Sequence, residues 1–257
     1  MVLNAVRMGD KGSTVAFCHG LFGQGKNWTQ IGKALAEDHH VVLLDMPDHG
    51  RSPRSERFDF VAIADQVVES LGSEPTALVG HSMGGKIAMV AALRHPDRVA
   101  RLAVVDVAPV DYPHADEFSG YIEAMQAIDL ASLESREDAD AALGDSVDSD
   151  MVRGFLLQSL RRTDAGWEWL LNLDLLGRDL AEITAWPGDA VADLAPYDGP
   201  VLWIGGGRSP YVAEEHVEAM DRLFPLNRRV TVKDAGHWVH AEQPEIMIEA
   251  LRRFLAT

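Results

Sequence analysis

The feature that most constrains the fold is a sharp glycine-rich turn, Gly80-His81-Ser82-Met83-Gly84-Gly85. It follows the apolar run Ala77 to Val79 and opens an alanine-rich helical pattern. The glycines permit a tight turn from which the Ser82 hydroxyl projects, and the following helix directs its N-terminus at any anion formed there. A chance glycine-rich turn is the alternative, but the strand-turn-helix context favours a serine nucleophile at Ser82.

Short runs rich in Val, Leu and Ala recur along the chain and alternate with helical patterns. After a short alternating pattern within Met1 to Gly12, the predicted strands are Thr14 to Cys18, Val41 to Asp45, Ala77 to Val79, Val99 to Asp106, Val201 to Ile204 and Arg229 to Val232. The predicted helices are Asn27 to Asp38, Phe60 to Leu71, Met83 to His95, Ala213 to Leu223 and Pro244 to Leu255. This alternation predicts an α/β fold, with a mostly parallel sheet flanked by helices and a site at the carboxyl ends of its strands.

Residues 109–196 interrupt the alternation with amphipathic helical segments and no evident strand. We therefore predict one core, formed by residues 1–108 and 197–257, with residues 109–196 as a helical cap inserted after the strand that ends at Asp106. The acidic tract Glu134 to Asp150 inside the cap is interpreted as a solvated helical face.

A second glycine-rich loop, His19-Gly20-Leu21-Phe22-Gly23, follows the strand that ends at Cys18. Acyl transfer needs hydrogen-bond donors for the oxyanion that develops on the attacked carbonyl. The backbone amides of Leu21 and Met83 are the expected pair. We interpret His19 as a residue that holds this loop by hydrogen bonds.

The general base is predicted to be His237, in a loop after the last strand, and His240 is interpreted as incidental. The loop after Val201 to Ile204 contains no carboxylate, so the acid that orients His237 must come from elsewhere. Asp106, at the carboxyl end of the preceding strand, is the candidate. Asp234 and Asp111 are reserves, and the alternative is that Asp106 only caps its strand.

Together these motifs resemble the α/β-hydrolase superfamily, as does the loop Asp45-Met46-Pro47-Asp48-His49-Gly50-Arg51-Ser52. Within it, the segments HGLFG, GHSMGG, VVDVAPVDYP and GGGRSPYV resemble the family of YbfF- and ABHD11-like esterases. This resemblance implies an eight-stranded sheet with the cap after its sixth strand. It also implies a serine carboxylesterase or thioesterase that forms an acyl-enzyme from small to medium-chain acyl groups, needs no cofactor or metal, and uses Asp106 as the acid.

Aromatic residues near these motifs are candidates for an apolar substrate pocket under the cap. The candidates, with the elbow histidine, are Phe22, His81, Tyr112, Trp167, Trp169, Tyr211 and Trp238. For the cap tryptophans, core packing is an equal alternative to substrate contact.

Other functions remain open on the same residues. Cofactor-free haloperoxidases and C–C bond hydrolases use a similar triad, and the fold also serves as a non-catalytic ligand-binding protein. Haloalkane dehalogenases and epoxide hydrolases are disfavoured, because they need an aspartate where Ser82 stands. A zinc hydrolase is disfavoured because the ten histidines lack ligand spacing.

The net charge of −17 disfavours nucleic acid and anionic membrane surfaces as partners. Cys18 is the only cysteine, so no internal disulfide can form, and we interpret it as a buried apolar residue. No secretion signal and no membrane-spanning run is evident, so we expect a cytoplasmic protein that acts on a small acyl ester and water. The oligomeric state is left open.

Overall fold

The computed structural model describes residues 2–112 and 116–256. Nine strands occur among them: β1 (Ala5–Met8), β2 (Thr14–Cys18), β3 (His40–Leu44), β4 (Thr76–His81), β5 (Val99–Val105), β6 (Leu160–Thr163), β7 (Gly166–Trp169), β8 (Val201–Gly206) and β9 (Asn227–Val232). Seven form one sheet in the order β1-β3-β2-β4-β5-β8-β9. The β1–β3 pair is antiparallel and the other pairs are parallel, which confirms the predicted mostly parallel α/β fold.

Twelve α-helices occur in the same residues. They are α1 (Thr29–Leu35), α2 (Phe60–Ser70), α3 (Met83–Arg94), α4 (Asp116–Ala127), α5 (Arg136–Gly144), α6 (Asp150–Leu157), α7 (Leu173–Arg178), α8 (Leu180–Thr184), α9 (Gly188–Val191), α10 (Val217–Leu223), α11 (Val239–Glu242) and α12 (Pro244–Leu255). Short 3₁₀ turns cover Gly25–Trp28, Pro96–Arg98 and Glu214–His216. In the part of the chain that the structure describes, no helix has the length and apolar character needed to cross a bilayer.

The central strands of the sheet are buried on both faces, as their near-continuous apolar sequences predict, whereas the edge strands β1 and β9 are largely exposed. Along β2, Val15 and Phe17 face one core, while Ala16 and Cys18 face the other. Helices α1 and α12 cover the first face, and α2 and α3 cover the second. Successive side chains of a strand point to opposite faces, so a strand buried on both sides must be apolar at every position.

The strand count corrects the prediction. The sheet has seven strands within the described residues, not eight, and the inserted segment follows the fifth strand along the chain, not the sixth. The cause lies before β2, where residues 2–13 supply only the four-residue β1. Gly9 and Gly12, at φ of 75° and 62°, then turn the chain directly into β2.

The inserted segment is also not wholly helical, because β6 and β7 form an antiparallel hairpin within it. Leu160 pairs with Trp169 and Arg162 pairs with Trp167, so each tryptophan lies across from a long side chain. Gly166, at φ of 123°, stands where the chain leaves the turn. Contacts of this kind between facing side chains stabilise a hairpin, although the flanking sequence is helical.

Helices α4 to α9 and the hairpin lie between β5 and β8 in the chain. Their apolar residues join the same buried cluster as α2 and α3, and Ile122, Leu176 and Ile183 are examples. We propose that residues 109–196 act as a cap over a core made of residues 1–108 and 197–257. The cluster that continues from α3 into this segment supports the proposal.

Candidate active site

Ser82 lies between the end of β4 and the start of α3, in a backbone conformation that few residues adopt. Its φ and ψ are 52° and −122°, and its amide donates a hydrogen bond to the carbonyl of Val105 (3.0 Å). A Cβ at Gly84 would lie 2.4 Å from the carbonyl oxygens of both Cys18 and His19. The strained turn therefore exists only because glycine lets α3 approach β2 closely, and strain of this kind is typical of functional sites.

Asp106 follows β5 directly and is completely buried, with φ of 50°. Its Oδ1 accepts a hydrogen bond from the amide of Gly206 (2.8 Å), and its Oδ2 accepts one from the Ser209 hydroxyl (2.5 Å). The same Oδ2 lies 2.8 Å from Nδ1 of His237. These donors replace the water that the buried carboxylate has lost.

His237 lies in the loop between β9 and α11, and three aromatic rings surround its imidazole. The ring centroids of Tyr211, His81 and Trp238 lie 4.4, 4.6 and 5.5 Å from that of His237. With Nδ1–H donated to Asp106, the neutral imidazole carries its lone pair on Nε2. That nitrogen is then available to accept a proton.

The two reserve acids lie elsewhere. Asp111 accepts a hydrogen bond from the amide of Trp186 (2.7 Å) through its carboxylate. Asp234 is exposed, and its backbone carbonyl accepts a hydrogen bond from Arg208. Of the three candidate carboxylates, Asp106 is the one that lies within hydrogen-bond distance of His237.

The two expected oxyanion residues, Leu21 and Met83, line one small cavity together with Ser82. His19 holds the loop that carries Leu21 through two hydrogen bonds. Its Nε2 accepts one from the amide of Met46 (2.9 Å), and its Nδ1–H donates one to the carbonyl of Gly20 (2.8 Å). Burial lowers the pKa of His19 to about 3, which keeps the ring neutral with this pattern of one donor and one acceptor. These contacts fit the structural role predicted for His19.

The cavity beside Ser82 has a volume of about 30 Å³, room for about one water molecule. Its lining comprises Leu21, Ser82, Met83, Lys86, Val107, Tyr112, Phe118, Ile183, Thr184 and Tyr211. Of the predicted pocket residues, Tyr112 and Tyr211 lie here. The Tyr112 hydroxyl donates to the Tyr211 carbonyl (2.6 Å), which joins the start of the inserted segment to the loop after β8.

The other predicted pocket residues lie outside this cavity lining. Phe22 packs on Phe118 and Tyr121, at ring distances of 6.2 and 6.4 Å. His81 is buried below His237, and its Nε2–H donates to the His237 carbonyl (2.9 Å). Burial lowers the pKa of His81 well below its ordinary value, so this histidine is a neutral support for the loop of His237.

The tryptophans of the hairpin belong to the packing of the inserted segment. The indole of Trp169 donates to the carbonyl of Met125 (3.2 Å), and that of Trp167 donates to the carbonyl of Leu133 (3.1 Å). Trp238 lies instead in a separate groove of about 550 Å³, across from Phe155 of α6. Substrate contact by these tryptophans stays a prediction.

Two residues near the site were missed by the sequence reasoning. Ser209 binds the Asp106 carboxylate, and no motif marks a serine in the loop after β8 for this role. Lys86 stands one helical turn after Ser82, a spacing that places it on the same side of α3, and this was an available signal. Its side chain is 2 % exposed, and burial lowers its pKa to about 7.

Cys18 is fully buried, and burial raises the pKa of its thiol to about 12. A thiol that stays protonated is a poor nucleophile. Cys18 is therefore a packing residue of β2.

The fold and the site define a hydrolase of the α/β type. The model of the alpha/beta hydrolase fold family matches residues 14–244. The sn-1-specific diacylglycerol lipase ABHD11 of Mus musculus is 38% identical over 251 residues, which cover 94% of this chain and 80% of that protein. Esterase YbfF of Escherichia coli (strain K12) is 33% identical over 246 residues, which cover 95% and 93%.

A solved structure of a marine microorganism esterase superposes with a TM-score of 0.93 at 30% identity, over 98% of this chain and 99% of that one. The chain belongs to the α/β-hydrolase family, and within it is a carboxylic ester hydrolase. The predicted resemblance to this family and to YbfF- and ABHD11-like esterases is confirmed.

Proposed function

We propose that this ester hydrolase is a serine carboxylesterase that cleaves small to medium-chain acyl esters through an acyl-enzyme on Ser82. The observation that carries the proposal is the buried pair of Asp106 and His237, 2.8 Å apart. Asp106 and Ser82 follow the adjacent strands β5 and β4, and the ring of His81, the neighbour of Ser82, lies 4.6 Å from that of His237. The relatives named as esterases support ester hydrolysis as the reaction.

In the first half of the reaction, His237 Nε2 takes the Ser82 proton as the hydroxyl oxygen attacks the ester carbonyl. The carbonyl oxygen becomes an oxyanion that the amides of Leu21 and Met83 stabilise. Asp106 keeps Nδ1–H facing its carboxylate and stabilises the imidazolium. When the C–O bond breaks, His237 returns the proton to the leaving alkoxide, and the alcohol departs.

In the second half, His237 removes a proton from water as the water oxygen attacks the acyl-enzyme. The new tetrahedral oxyanion uses the same two amides. Collapse breaks the bond to Ser82, whose oxygen recovers the proton, and the carboxylic acid product leaves.

The size of the acyl group follows from the cavity beside Ser82. Its volume of about 30 Å³ accommodates little beyond a short acyl group unless the inserted segment shifts. Phe118, Ile183 and Thr184, which belong to that segment, form part of its wall. We therefore propose that short acyl chains react as the protein stands and that longer chains require movement of the cap.

A thioester carbonyl can be attacked by the same groups, so thioesterase activity is the second candidate. Haloperoxidase, C–C hydrolase and non-catalytic binding roles stay weaker alternatives, because no contact at Ser82 favours them. Cytoplasmic location also stays a prediction.

The test is hydrolysis of p-nitrophenyl esters from acetate to laurate, with acyl-CoA thioesters as a parallel series, by the wild type and by Ser82→Ala. Ser132→Ala, which removes an exposed serine that bonds only within its own turn, is the matched control. We expect turnover that peaks at short to medium chains and is lost in Ser82→Ala but not in Ser132→Ala. Turnover that survives in Ser82→Ala, or hydrolysis of no ester or thioester in either series, contradicts the proposal.

A further inference from the structure

Lys86 is a buried cation at the wall of the cavity that contains Ser82. It lies on α3 and is 2 % exposed. The Asp111 carboxylate acts on its charge and raises its pKa, but less than burial lowers it. Lysine is almost never fully buried unless its charge is compensated. Other groups must therefore compensate the charge of Lys86.

The ammonium group is held by backbone oxygens of the inserted segment. Nζ donates to the carbonyls of Thr184 (2.6 Å) and Ala185 (2.8 Å), at the end of α8. The last carbonyls of a helix lack partners within the helix and carry the negative end of its dipole, so they suit a cation. The link joins residues about a hundred positions apart, from the nucleophile helix to the cap.

Tyr112 and Tyr211 connect Lys86 to His237 through a series of contacts. Nζ lies 4.8 Å from the centre of the Tyr112 ring, and the amide of Tyr112 donates to the Thr184 carbonyl (3.1 Å) that Lys86 also binds. The Tyr112 hydroxyl donates to the carbonyl of Tyr211, whose ring packs 4.4 Å from that of His237.

Other contacts between the cap and the core lie away from the cavity. The side-chain amide of Asn172 donates to Asp48 (2.8 Å), and Gln158 accepts hydrogen bonds from Lys26 and Asn27. None of these five residues lines the cavity. Lys86 is thus the anchor that joins α8 to the wall of the acyl site, while Tyr112 joins the start of the inserted segment to Tyr211 there.

We propose that Lys86 is a positioning residue that pins the end of α8 over Ser82 and thereby limits the length of the acyl chain. The pin holds Thr184 and Ile183 in the cavity wall, so a longer chain enters only when the two carbonyl contacts break. The part of this inference that concerns acyl length rests on the proposed esterase function, whereas the pin itself does not.

Lys86→Met tests the pin, since methionine has a similar length and shape but donates no hydrogen bond. Hydrogen exchange is followed by mass spectrometry in peptides that contain Tyr112 and Trp186, whose amides bond to the Thr184 carbonyl and the Asp111 carboxylate. Loss of two charge-assisted hydrogen bonds is expected to accelerate exchange there by about tenfold or more, with unchanged exchange in β4. Asn172→Ala, which breaks a remote anchor, is the matched control and leaves exchange at Tyr112 and Trp186 as in the wild type.

The second readout is kcat/KM for p-nitrophenyl octanoate relative to acetate. We expect this ratio to rise in Lys86→Met, to stay at the wild-type value in Asn172→Ala, and to return towards it in Lys86→Arg, which restores charge and donors. Wild-type exchange at Tyr112 and Trp186, or an equal change on both esters, overturns the inference.

If Lys86→Met does not fold, Lys86→Gln, a neutral and shorter side chain, is measured by the same two readouts with the same overturning results. Hydrogen exchange is measured without substrate. It therefore tests the contact between Lys86 and the end of α8 even if the protein is not an esterase.

Discussion

Nδ1 of His237 and Oδ2 of Asp106 lie 2.8 Å apart, although 131 positions separate the two residues in the chain. Asp106 directly follows β5, while the loop after β8, which supplies no carboxylate, contributes the hydroxyl of Ser209 to the same oxygen. The acid and its support therefore come from two adjacent strands. Each can be tested separately.

Asp106→Asn is expected to lower kcat by about 10³- to 10⁴-fold, because an amide at this position favours the wrong tautomer of His237. The measurement is steady-state hydrolysis of a short p-nitrophenyl ester. Asp234→Asn, at an exposed position, is the matched control and keeps activity within a few-fold of wild type. If the activity of Asp106→Asn stays within the same few-fold range, Asp106 is not the acid that orients His237.

Ser209→Ala removes one donor to the Asp106 carboxylate and leaves the amide of Gly206 in place. We expect kcat to fall by about tenfold, the usual effect of losing a hydrogen bond to a charged group, with little change in KM. The kcat and KM of Ser132→Ala provide the baseline. A rise in KM at constant kcat would assign Ser209 to substrate binding instead.

Gly84→Ala tests the steric basis of the turn at Ser82. The added methyl group would lie 2.4 Å from two carbonyl oxygens of the backbone, so we expect a loss of about 3 kcal/mol in the free energy of unfolding. Gly120→Ala is the control, because nothing lies within 4 Å of its Cβ position in α4, and it should gain about 0.5–1 kcal/mol from helix propensity. Equal stabilities in urea denaturation would refute the close approach of α3 to β2.

His240→Phe tests the buried histidine that stacks on Trp28 at a ring distance of 4.4 Å. Its Nδ1 is buried without a hydrogen-bond partner among the described residues, and burial lowers the pKa of His240 to about 3. Because the pKa is lower in the folded state than in the unfolded chain, the unfolded chain alone binds a proton as pH falls below about 6.5. Stability is thus complete above that pH and is lost progressively towards pH 3.

Between pH 7 and pH 5 the wild type should lose about 2 kcal/mol through His240 alone, and His240→Phe should lose that much less. Urea denaturation at the two pH values measures the difference. If the wild type and His240→Phe lose the same free energy of unfolding between the two pH values, His240 binds its proton equally well in the folded and the unfolded state.

Much of the fold follows from the sequence because the central strands β2, β3, β4, β5 and β8 are mainly apolar runs and the turn at Ser82 requires its own glycines. The start of the main helices was predicted to within a few residues, as in α2 and α12, which begin at Phe60 and Pro244. The pairing of Asp106 with His237 follows from topology, since β5 and β9 both end at the edge of the sheet that carries Ser82. These inferences needed only local sequence patterns and the rule that active sites form at the edge of the sheet where parallel strands have their carboxyl ends.

The remaining features depend on how distant segments pack. The hairpin of β6 and β7 was missed because each strand has only four residues, and Trp167 and Trp169 of β7 find their partners Arg162 and Leu160 only once the two strands pair. The positions of Phe118 and Ile183 in the cavity wall depend on where the cap rests on the core. In the sequence Lys86 has the pattern of an ordinary helical lysine, and its role depends on its hydrogen bond to the end of α8, which only the fold shows.

The most direct test of the central claim is the capture of an acyl-enzyme on Ser82. Wild-type protein is mixed with p-nitrophenyl butyrate, quenched in acid within milliseconds, digested and mapped by mass spectrometry, with Ser82→Ala treated in parallel. We predict one butyryl group on the peptide that contains Ser82, a matching burst of p-nitrophenol, and neither in Ser82→Ala. A butyryl group on another residue, or steady turnover by Ser82→Ala, would contradict the account.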